Sequence, residues 1–330
     1  MPALNPNNVR FFSGQSHPEL ASGIAKHLSI PLEPTYFSRF KNDNQYIQLG
    51  ASVRGRMVFI IQSLTPPVSD HLLELLMMLD IARGAGAREI HAVIPYYSYA
   101  RSDKKDAPRI SITARLVADL LVTAGATHIM TMTLHSPQVH GFFSVPTDPL
   151  TARPLFVKHF SGRQLNSSDT IVVTPDMGRA KSAARFASRL GLTFAAADKR
   201  RISDQHVMIG GMVAKQVEGY RKAIIYDDEI ATGTSVITLI KILIDCGIEE
   251  VATVCTHGVF VDDALQHLEA IPQITEIITT DTVPIPNEKR VPKLEILSVA
   301  PLFGDAIWHN YSHQSIGDLF TFSEDIEGSK

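Results

Sequence analysis

Cysteine is scarce in this sequence, since only Cys246 and Cys255 occur among its 330 residues, and both lie in apolar stretches. A small secreted fold held together by several disulfides is therefore excluded, and a reduced, cytoplasmic setting is expected. Long apolar runs are also missing, because stretches such as Met57–Ile61 are far shorter than the ~20 residues of a membrane-spanning helix. The polar, proline-containing start from Met1 to Arg10 does not look like a signal peptide. We therefore expect a soluble protein.

Neither sign of charge is in large excess, because 31 basic and 34 acidic side chains leave a net charge of −3. This balance argues against a surface that coats nucleic acid, and we expect neither a nucleic-acid partner nor a membrane partner. Two nucleotide-binding signatures are missing as well: no glycine is directly followed by a lysine, and no Gly-x-Gly-x-x-Gly occurs. A Walker-type phosphate loop and a dinucleotide-binding fingerprint are thereby excluded.

What the sequence does contain is a regular alternation of short β-branched runs and longer amphipathic stretches. The chain length favours two domains, and a composition that is 45% hydrophobic allows each to bury a core. Alternating strands and helices predict an α/β fold, with parallel sheets covered by helices. The predicted strands are Met57–Gln62, Glu89–Pro95, His128–His135, Thr170–Asp176, Ala223–Asp228 and Val251–Thr256. The predicted helices are Asp70–Arg83, Ile112–Thr123, Gly178–Leu190 and Ser235–Cys246.

A similar joint between helix and strand occurs three times, at Gly86, Gly125 and Gly247. A glycine just past a helix takes the left-handed conformation that ends it, and a strand then begins. The third copy lies in the other half of the chain, which suggests two similar domains, although any α/β protein repeats such joints. The polar segment Thr151–Ser168 is the expected domain boundary, and the basic segment Arg200–Gln205 is predicted to be a mobile loop.

The sharpest local pattern is Tyr226–Ser235, where an apolar strand leads through paired carboxylates into a small, hydroxyl-rich turn. Ligands gather at the carboxyl ends of parallel strands, and turn N–H groups before a helix bind phosphate. Asp227 and Asp228 can accept hydrogen bonds from two neighbouring hydroxyls, so the segment suits a sugar phosphate. The alternative is that both aspartates only cap a βα loop. The Thr-Gly-Thr-Ser sequence that follows favours the sugar phosphate.

This segment resembles the phosphoribosyl-diphosphate-binding motif of type I phosphoribosyltransferases, and further segments resemble one family, the ribose-phosphate pyrophosphokinases. They occur in that family's order over nearly the whole chain, and their joint occurrence is a strong signal. These segments are Phe12–Gly14, Ser52–Gly55, Pro95–Lys105, Leu134–His135, Gly141–Phe143, Thr174–Gly178, Asp198–Arg201, Thr256–Phe260 and Ser298–Leu302.

The resemblance implies two similar type I phosphoribosyltransferase-like domains, each a mainly parallel sheet flanked by helices, with the active site between them. Residues 1–153 would form the N-terminal, ATP-side domain and residues 154–330 the C-terminal, ribose-phosphate-binding domain. The extreme C-terminal segment would pack back on the first domain. The resemblance further implies a homo-oligomer built from dimers, which in this family is often a hexamer.

The implied reaction transfers the diphosphoryl group of ATP to the anomeric hydroxyl of ribose 5-phosphate, giving 5-phosphoribosyl 1-diphosphate and AMP, with Mg²⁺. Lys199 and Arg201 match the family's catalytic loop, and His135 and Asp176 match its magnesium-associated positions. The implied ribose-phosphate site consists of Asp227, Asp228, Ala231, Thr232, Gly233, Thr234 and Ser235. The implied ATP site consists of Phe40, Asn42, Asn44, Arg101, Ser102 and Asp103. Taken singly, Phe40 also suits a core aromatic, His135 a packed histidine and Lys199–Arg201 a solvated turn.

Several positions depart from the family's usual pattern and keep two other functions open. In the phosphate loop Ala231 replaces an aspartate and Thr234 a glycine, while Asn44 replaces a glutamate, Ser102 a glutamine and Gly317 a serine. A catalytically weak regulator of an active synthetase is one alternative. A phosphoribosyltransferase that consumes the diphosphate sugar is the other, because the Tyr226–Ser235 motif fits both. The matches around Arg101 and His135 favour the synthetase, because a transferase needs no second, ATP-binding domain.

Overall fold

The chain forms two compact units in a computed structural model that describes residues 4–197, 199–203, 206–209 and 212–319. Side chains are described outside 199–209, 212 and 318. Unit 1 contains the described residues of Met1–Thr151, Thr282–Pro284 and Ser298–Lys330, and unit 2 contains those of Ala152–Asp281 and Ile285–Leu297. Each unit has its own apolar core.

Unit 1 is built on a six-stranded sheet and also contains a separate two-stranded hairpin. Its strands are β1 (Val9–Ser13), β2 (Leu32–Glu33), β3 (Thr35–Arg39), β4 (Gln45–Leu49), β5 (Met57–Ile61), β6 (Glu89–Ile94), β7 (His128–Met132) and β8 (Thr147–Leu150). Its helices are α1 (Pro18–His27), α2 (Val68–Gly84), α3 (Thr113–Ala124) and, from the C-terminal part of the chain, α9 (Ala300–Tyr311). Helix α9 packs on α1, where His27 Nε2 lies 2.8 Å from Asp305 Oδ1.

Unit 2 is built on a second six-stranded sheet and also contains a separate two-stranded hairpin. Its strands are β9 (Thr170–Thr174), β10 (Thr193–Ala196), β11 (Lys199–Ser203), β12 (His206–Ile209), β13 (Lys222–Ile230), β14 (Glu250–Gly258), β15 (Ile274–Thr280) and β16 (Leu294–Leu297). Its helices are α4 (Arg153–Ser161), α5 (Ala180–Arg189), α6 (Met212–Gln216), α7 (Thr234–Asp245) and α8 (Ala264–Glu269).

The two sheets have the same topology. Unit 1 has the strand order β2-β1-β5-β6-β7-β8, and unit 2 has the order β10-β9-β13-β14-β15-β16, with every neighbouring pair parallel. In both units an antiparallel hairpin is inserted along the chain between two strands of the sheet: β3-β4 comes between β2 and β5, and β11-β12 comes between β10 and β13. The α/β prediction with two mainly parallel sheets is confirmed, and the repeated topology favours two similar domains over chance recurrence of joints.

The predicted strands and helices are all present, but several of their ends differ from the prediction by one to three residues, and two of these strand ends have a clear physical reason. Strand β13 continues to Ile230 instead of stopping at Asp228, because Glu229 and Ile230 still pair with β14. Strand β7 stops at Met132 instead of reaching His135, because Thr133 has a φ of +42°, outside the extended region. The prediction that Arg200–Gln205 is a loop was wrong for its backbone, most of which belongs to the β11-β12 hairpin, while residues 204 and 205 lie outside the described residues.

Left-handed glycines end helices as expected, with φ of +78° at Gly86, +129° at Gly125 and +96° at Gly247. Among the helices of the described ranges, none combines the length and apolar character that crossing a bilayer requires.

A row of stacked rings crosses the sheet of unit 1 and includes a buried histidine. The ring centroids are 4.8 Å apart for Phe11–Phe59, 4.5 Å for Phe59–His91 and 4.9 Å for His91–His128. His91 is 2% exposed, and neither ring nitrogen makes a hydrogen bond within the described part of the chain. Desolvation, followed by the neighbouring charge of His128, lowers the pKa of His91 to about 3. His91 is therefore neutral in the folded protein at any pH above this value.

His91→Phe is expected to make the protein more resistant to acid. Because the pKa of His91 is lower in the folded than in the unfolded chain, the stability it contributes is complete above about pH 6.5 and is lost as pH falls toward 3. By pH 5 this loss amounts to about 2 kcal/mol, which phenylalanine would remove while continuing the ring stack. Urea unfolding at pH 7 and pH 5 measures the effect. An equal difference between variant and wild type at both pH values would contradict it.

Candidate active site

The candidate site lies at the carboxyl edge of the unit 2 sheet, between β9 and β13. These two strands are neighbours, but the chain leaves β9 toward β10 on one side and leaves β13 toward β14 on the other. Such a reversal opens a crevice in which ligands of open α/β sheets bind. Asp176 follows β9, and Asp227 and Asp228 lie near the end of β13. The predicted pentose-binding carboxylates therefore lie at the crevice.

Asp227 and Asp228 are part of strand β13, so the alternative that they only cap a βα loop is wrong. Asp228 is 7% exposed, whereas Asp227 is partly exposed, and Asp227 Oδ1 accepts a hydrogen bond from Asp228 N at 2.9 Å. Desolvation and then the Asp228 charge raise the pKa of Asp227 well above its ordinary value, while Arg179 acts in the opposite direction. The pair thus favours a state in which only one carboxyl group is ionised.

Arg179 forms an ion pair with Asp228 and was not predicted as a site residue. Its Nη2 contacts Asp228 Oδ2, and the two side chains are 11% and 8% exposed. Arg179 ends the 3-10 turn Met177–Arg179, which directly follows Asp176 at the end of β9. In the sequence, Arg179 is only an arginine three residues after a predicted site aspartate. Its relation to Asp228 becomes visible once β9 and β13 are known to be neighbours.

The segment Ala231–Ser235 comprises the turn Ala231–Gly233 that connects β13 with α7 and the first two residues of α7. Gly233 has a φ of +73° and lies directly before α7, whose first hydrogen bond runs from Ile237 N to Gly233 O at 2.9 Å. Thr234 is the first residue of α7 and has no positive φ, so threonine is accommodated at this position without backbone strain. The exposed hydroxyls of Thr232 and Thr234 are 3.1 Å apart. Hydroxyls and helix N-terminal N–H groups together suit a phosphate.

Ala231 is held by its backbone, because Val261 N donates to Ala231 O at 3.1 Å. The neighbouring Ile230 O accepts from Val259 N at 3.0 Å and from Phe260 N at 3.1 Å. These bonds tie the start of the turn to the segment after β14. The turn therefore keeps its anchorage although Ala231 lacks the carboxylate expected at this position.

The two residues that are predicted to hold a metal ion lie in different units, and each is at the carboxyl side of a strand. His135 follows β7 in unit 1 and is partly exposed. Asp176 follows β9 in unit 2, is partly exposed, and accepts a hydrogen bond from Gly178 N at 2.9 Å through Oδ1. One imidazole and one carboxylate, each with access to solvent, fit an ion that keeps several waters and takes few protein ligands.

A cluster of three groups that could together bind a metal lies elsewhere in unit 2. His159, Glu276 and Glu295 have ligand atoms within 4.8 Å of one another. Arg163 Nη2 donates to Glu276 Oε2 at 2.9 Å, and Arg163 Nη1 also contacts this carboxylate. A guanidinium therefore already neutralises one of the two carboxylates of this cluster, whose residues are not among the predicted site residues.

The β3-β4 hairpin of unit 1 carries Phe40 at its tip. Phe40 is 58% exposed, so the alternative that it is an ordinary core aromatic is wrong. The turn is closed by Phe40 N, which donates to Asn44 O at 2.9 Å, and by Asn44 N, which donates to Asn42 Oδ1 at 3.4 Å. Asn42 and Asn44 are exposed. Exposure of a large aromatic ring beside amide groups is compatible with a base-binding role.

Arg101, Ser102 and Asp103 lie at the end of the 3-10 turn Ser98–Arg101 in unit 1 and differ in their contacts. Arg101 is exposed, and Asp103 is partly exposed. Ser102 contacts the start of α3, since its Oγ accepts from Thr113 N at 3.3 Å and its carbonyl oxygen from Ala114 N at 3.1 Å. A structural capping role therefore explains Ser102 without any nucleotide.

Lys199 and Arg201 belong by backbone to β11, paired with Ile209 and Val207 of β12. Their side chains lie outside the described residues, so their assignment as catalytic groups stays a prediction.

The corresponding crevice of unit 1, between β1 and β5, is filled by its own side chains. Gln62 Nε2 donates to Glu74 Oε1 at 2.7 Å, and Gln62 Oε1 accepts from Ser16 Oγ at 2.6 Å. A Cβ atom on Gly14 would lie only 2.3 Å from Gln62 Oε1. The two units thus share a topology, but the predicted pentose-binding residues lie at the crevice of unit 2, whereas Gln62 and Glu74 occupy the corresponding place in unit 1.

Comparison with known proteins agrees with the resemblance in the motifs. The model of the N-terminal domain of ribose phosphate pyrophosphokinase matches residues 9–125, and that of a phosphoribosyl synthetase-associated domain matches residues 209–321. A putative ribose-phosphate pyrophosphokinase of Streptomyces coelicolor is 49% identical over 95% of this chain and 98% of its own length. The ribose-phosphate pyrophosphokinase of Caldanaerobacter subterraneus is 42% identical over 96% of this chain and 98% of its own.

A solved structure agrees with these relatives. Phosphoribosylpyrophosphate synthetase from Mycobacterium smegmatis superposes with a TM-score of 0.85 and 37% identity, over 93% of this chain and 99% of that chain. Both family models, the full-length relatives and the solved structure point the same way. The chain therefore belongs to the ribose-phosphate pyrophosphokinase family.

Proposed function

We propose that this chain transfers the diphosphoryl group of ATP to the anomeric hydroxyl of ribose 5-phosphate, forming 5-phosphoribosyl 1-diphosphate and AMP. The observation that carries this proposal is the arrangement at the end of β13. There, two carboxyl groups are followed by a turn whose Gly233 and Thr234 open helix α7. Acceptors for vicinal hydroxyls and donors for a phosphate are thereby placed on one short segment, as a phosphopentose requires.

Each part of this segment has a separate task in binding the sugar. Asp227 and Asp228 accept hydrogen bonds from the ribose hydroxyls, and a bond to the ionised carboxylate of the pair is worth about 1.5–3 kcal/mol. The N–H groups and hydroxyls of residues 231–235 bind the 5-phosphate. Holding the sugar at both ends fixes its anomeric hydroxyl, and this positioning is a large part of the rate enhancement available to such a reaction.

The chemical step forms a bond between the anomeric oxygen and the β-phosphorus of ATP. The bond between that phosphorus and the oxygen bridging to the α-phosphorus breaks, and AMP leaves with the bridging oxygen. Negative charge is spread over the transferred group, so catalysis depends on alignment and on positive charge around it. Lys199 and Arg201 supply this charge in the proposal, and Phe40, Asn42, Asn44, Arg101 and Asp103 bind ATP.

Family membership implies an ATP-using enzyme that generally needs a divalent metal, and we infer that the ion is Mg²⁺. His135 and Asp176 would hold it together with phosphate oxygens. When bound, it neutralises charge on the ATP phosphates. The protein itself contributes two partly exposed ligand groups and the orientation of Asp176, one of whose oxygens is fixed by Gly178 N.

Residues 1–153 serve the nucleotide and residues 154–330 serve the pentose, and the chain works as a homo-oligomer built from dimers, in the cytoplasm. Cys246 and Cys255 are both free thiols, which suits a reducing compartment.

Release of AMP from ATP in the presence of ribose 5-phosphate and magnesium tests the proposed reaction. We expect turnover that depends on all three components, with 5-phosphoribosyl 1-diphosphate formed in equal amount. Folded protein that shows no turnover but binds an active homologue would instead indicate the regulator. Release of diphosphate from added 5-phosphoribosyl 1-diphosphate that depends on an added base would indicate a phosphoribosyltransferase. The intact anchorage of Ala231 favours activity over the regulator.

A further inference from the structure

The ion pair between Arg179 and Asp228 lies inside the crevice where the pentose is proposed to bind. Asp228 is near the carboxyl end of β13, and Arg179 follows the carboxyl end of β9. The two strands are direct neighbours in the sheet, with Ile225 of β13 opposite Val173 of β9. The guanidinium therefore bridges the two sides of the crevice and contacts one of the two carboxylates that accept the sugar hydroxyls.

The chemistry of arginine suits this position better than that of lysine. A guanidinium stays charged at every physiological pH and presents five N–H donors in a fixed planar fork. A carboxylate has about four acceptor positions, so an arginine can hold one oxygen and leave acceptor capacity for a sugar hydroxyl. The contact through Asp228 Oδ2 fixes the plane of this carboxylate before any sugar is bound.

Stability alone is a poor explanation for this pair. Both side chains are about nine-tenths buried, at 11% and 8% exposure. Moving two charges out of water costs about as much free energy as their attraction returns, and apolar pairs often stabilise such positions equally well. A tether between β9 and β13 is also unnecessary, because the strands already form a continuous ladder of hydrogen bonds from Lys222 to Ile225.

We propose that Arg179 is a positioning residue of the pentose site: it holds Asp228 in the orientation that accepts a ribose hydroxyl, and it thereby sets discrimination between ribose and deoxyribose phosphates. This inference rests on the proposed function, because it takes Asp227 and Asp228 as the hydroxyl-binding groups. It adds a residue that contacts no reacting atom and acts through Asp228.

Electrostatics in the crevice support the same division of roles. Asp227 has a raised pKa because of desolvation and the adjacent Asp228 charge, and Arg179 reduces this effect. With Arg179 against Asp228, negative charge is stabilised on the carboxylate that the guanidinium contacts. The fork thus both orients Asp228 and keeps it an acceptor.

The test compares binding of two sugars to the full-length protein by calorimetry, with magnesium and a non-hydrolysable ATP analogue present throughout. The probes are ribose 5-phosphate and 2-deoxyribose 5-phosphate, and the variants are Arg179→Gln, Arg179→Lys and Arg189→Gln. Arg189 is an exposed arginine in the last turn of the same helical segment, so its replacement is a matched change of charge away from the crevice.

Wild type and Arg189→Gln are expected to bind the ribose compound at least about tenfold more tightly than the deoxy compound, as one charged hydrogen bond provides. Arg179→Gln is expected to weaken ribose 5-phosphate binding by about tenfold while hardly changing the deoxy compound, so that the ratio falls toward one. Arg179→Lys keeps the charge without the fork and is expected to give an intermediate ratio.

If Arg179 had only a structural role, its replacement would weaken the binding of both sugars equally. An unchanged affinity ratio in Arg179→Gln therefore overturns the inference and leaves the proposed function intact. Melting curves establish whether Arg179→Gln folds. If it does not, the lysine variant decides: a reduced affinity ratio supports the inference, and a wild-type ratio overturns it. Absence of any discrimination in wild type overturns hydroxyl recognition by the aspartate pair, and the inference with it.

Discussion

Lys199→Ala is expected to lower the turnover number by about 10²–10³-fold, the usual effect of removing one group that stabilises transition-state charge. Lys199 lies in β11, directly after a strand of the unit 2 sheet and in the segment that resembles the family's catalytic loop. If its ammonium acts on the transferred group only in the transition state, turnover falls while the KM values for ATP and ribose 5-phosphate change little. AMP release under saturating substrate measures this.

Stability should be nearly unaffected by this change. The β11-β12 hairpin is a separate two-stranded sheet, so position 199 is not a position of the six-stranded sheet that organises the unit. Arg200→Ala is the matched control, because it removes the same charge at the adjacent strand position. Wild-type turnover in Lys199→Ala, or an equal loss in Arg200→Ala, would remove Lys199 from the mechanism.

Sequence patterns were sufficient for the architecture because the core strands are short, continuous apolar runs separated by glycine joints. Met57–Ile61 and Thr170–Thr174 are buried at every position, which is the pattern of strands covered on both faces. Strands β3 and β4 are partly exposed and contain several polar residues, and β16 is a partly exposed strand of only four residues, so they carry no comparable signal. The strand ends depended on tertiary pairing, which the sequence does not contain.

The site was predictable where its residues are contiguous and not where they meet through the sheet. The pentose segment from Asp227 to Ser235 is a single stretch, so its chemistry can be interpreted from the order of its residues. Arg179 is 49 positions before Asp228 by numbering, and only the adjacency of β9 and β13 brings them into contact. For Ser102 the ATP-binding role stays a prediction, and the sequence did not reveal that its hydroxyl oxygen accepts a hydrogen bond from the start of α3.

Asp227→Asn and Asp228→Asn are expected to weaken ribose 5-phosphate binding alike, by about tenfold or more each, but to change stability in opposite directions. The loss of affinity follows because each variant replaces a carboxyl oxygen that can accept a sugar hydroxyl with an amide NH2 group, which only donates. The stability effects differ because the two carboxyl groups have different surroundings: Asp228 contacts Arg179, whereas Asp227 is desolvated beside another acid.

Asp227→Asn should be more stable than wild type at neutral pH. The pKa of Asp227 is raised in the folded protein, so the stability it contributes is complete below the unfolded value of about 3.9 and is lost as pH rises through the folded value. Asparagine cannot ionise and avoids this loss, and its carbonyl oxygen can still accept from Asp228 N. The advantage over wild type should therefore vanish as pH falls toward 4.

Asp228→Asn should be less stable than wild type by about 3 kcal/mol, because it leaves the largely buried Arg179 without its anionic partner. Urea unfolding of both variants at pH 7 and pH 4, beside calorimetry with ribose 5-phosphate, measures all four effects. Equal destabilisation by both changes would show that the aspartates carry equivalent charge, and it would contradict the division in which Arg179 fixes the charge on Asp228. A stability difference without any loss of pentose affinity would instead separate this ion pair from substrate binding, because the charges would then matter only to the fold.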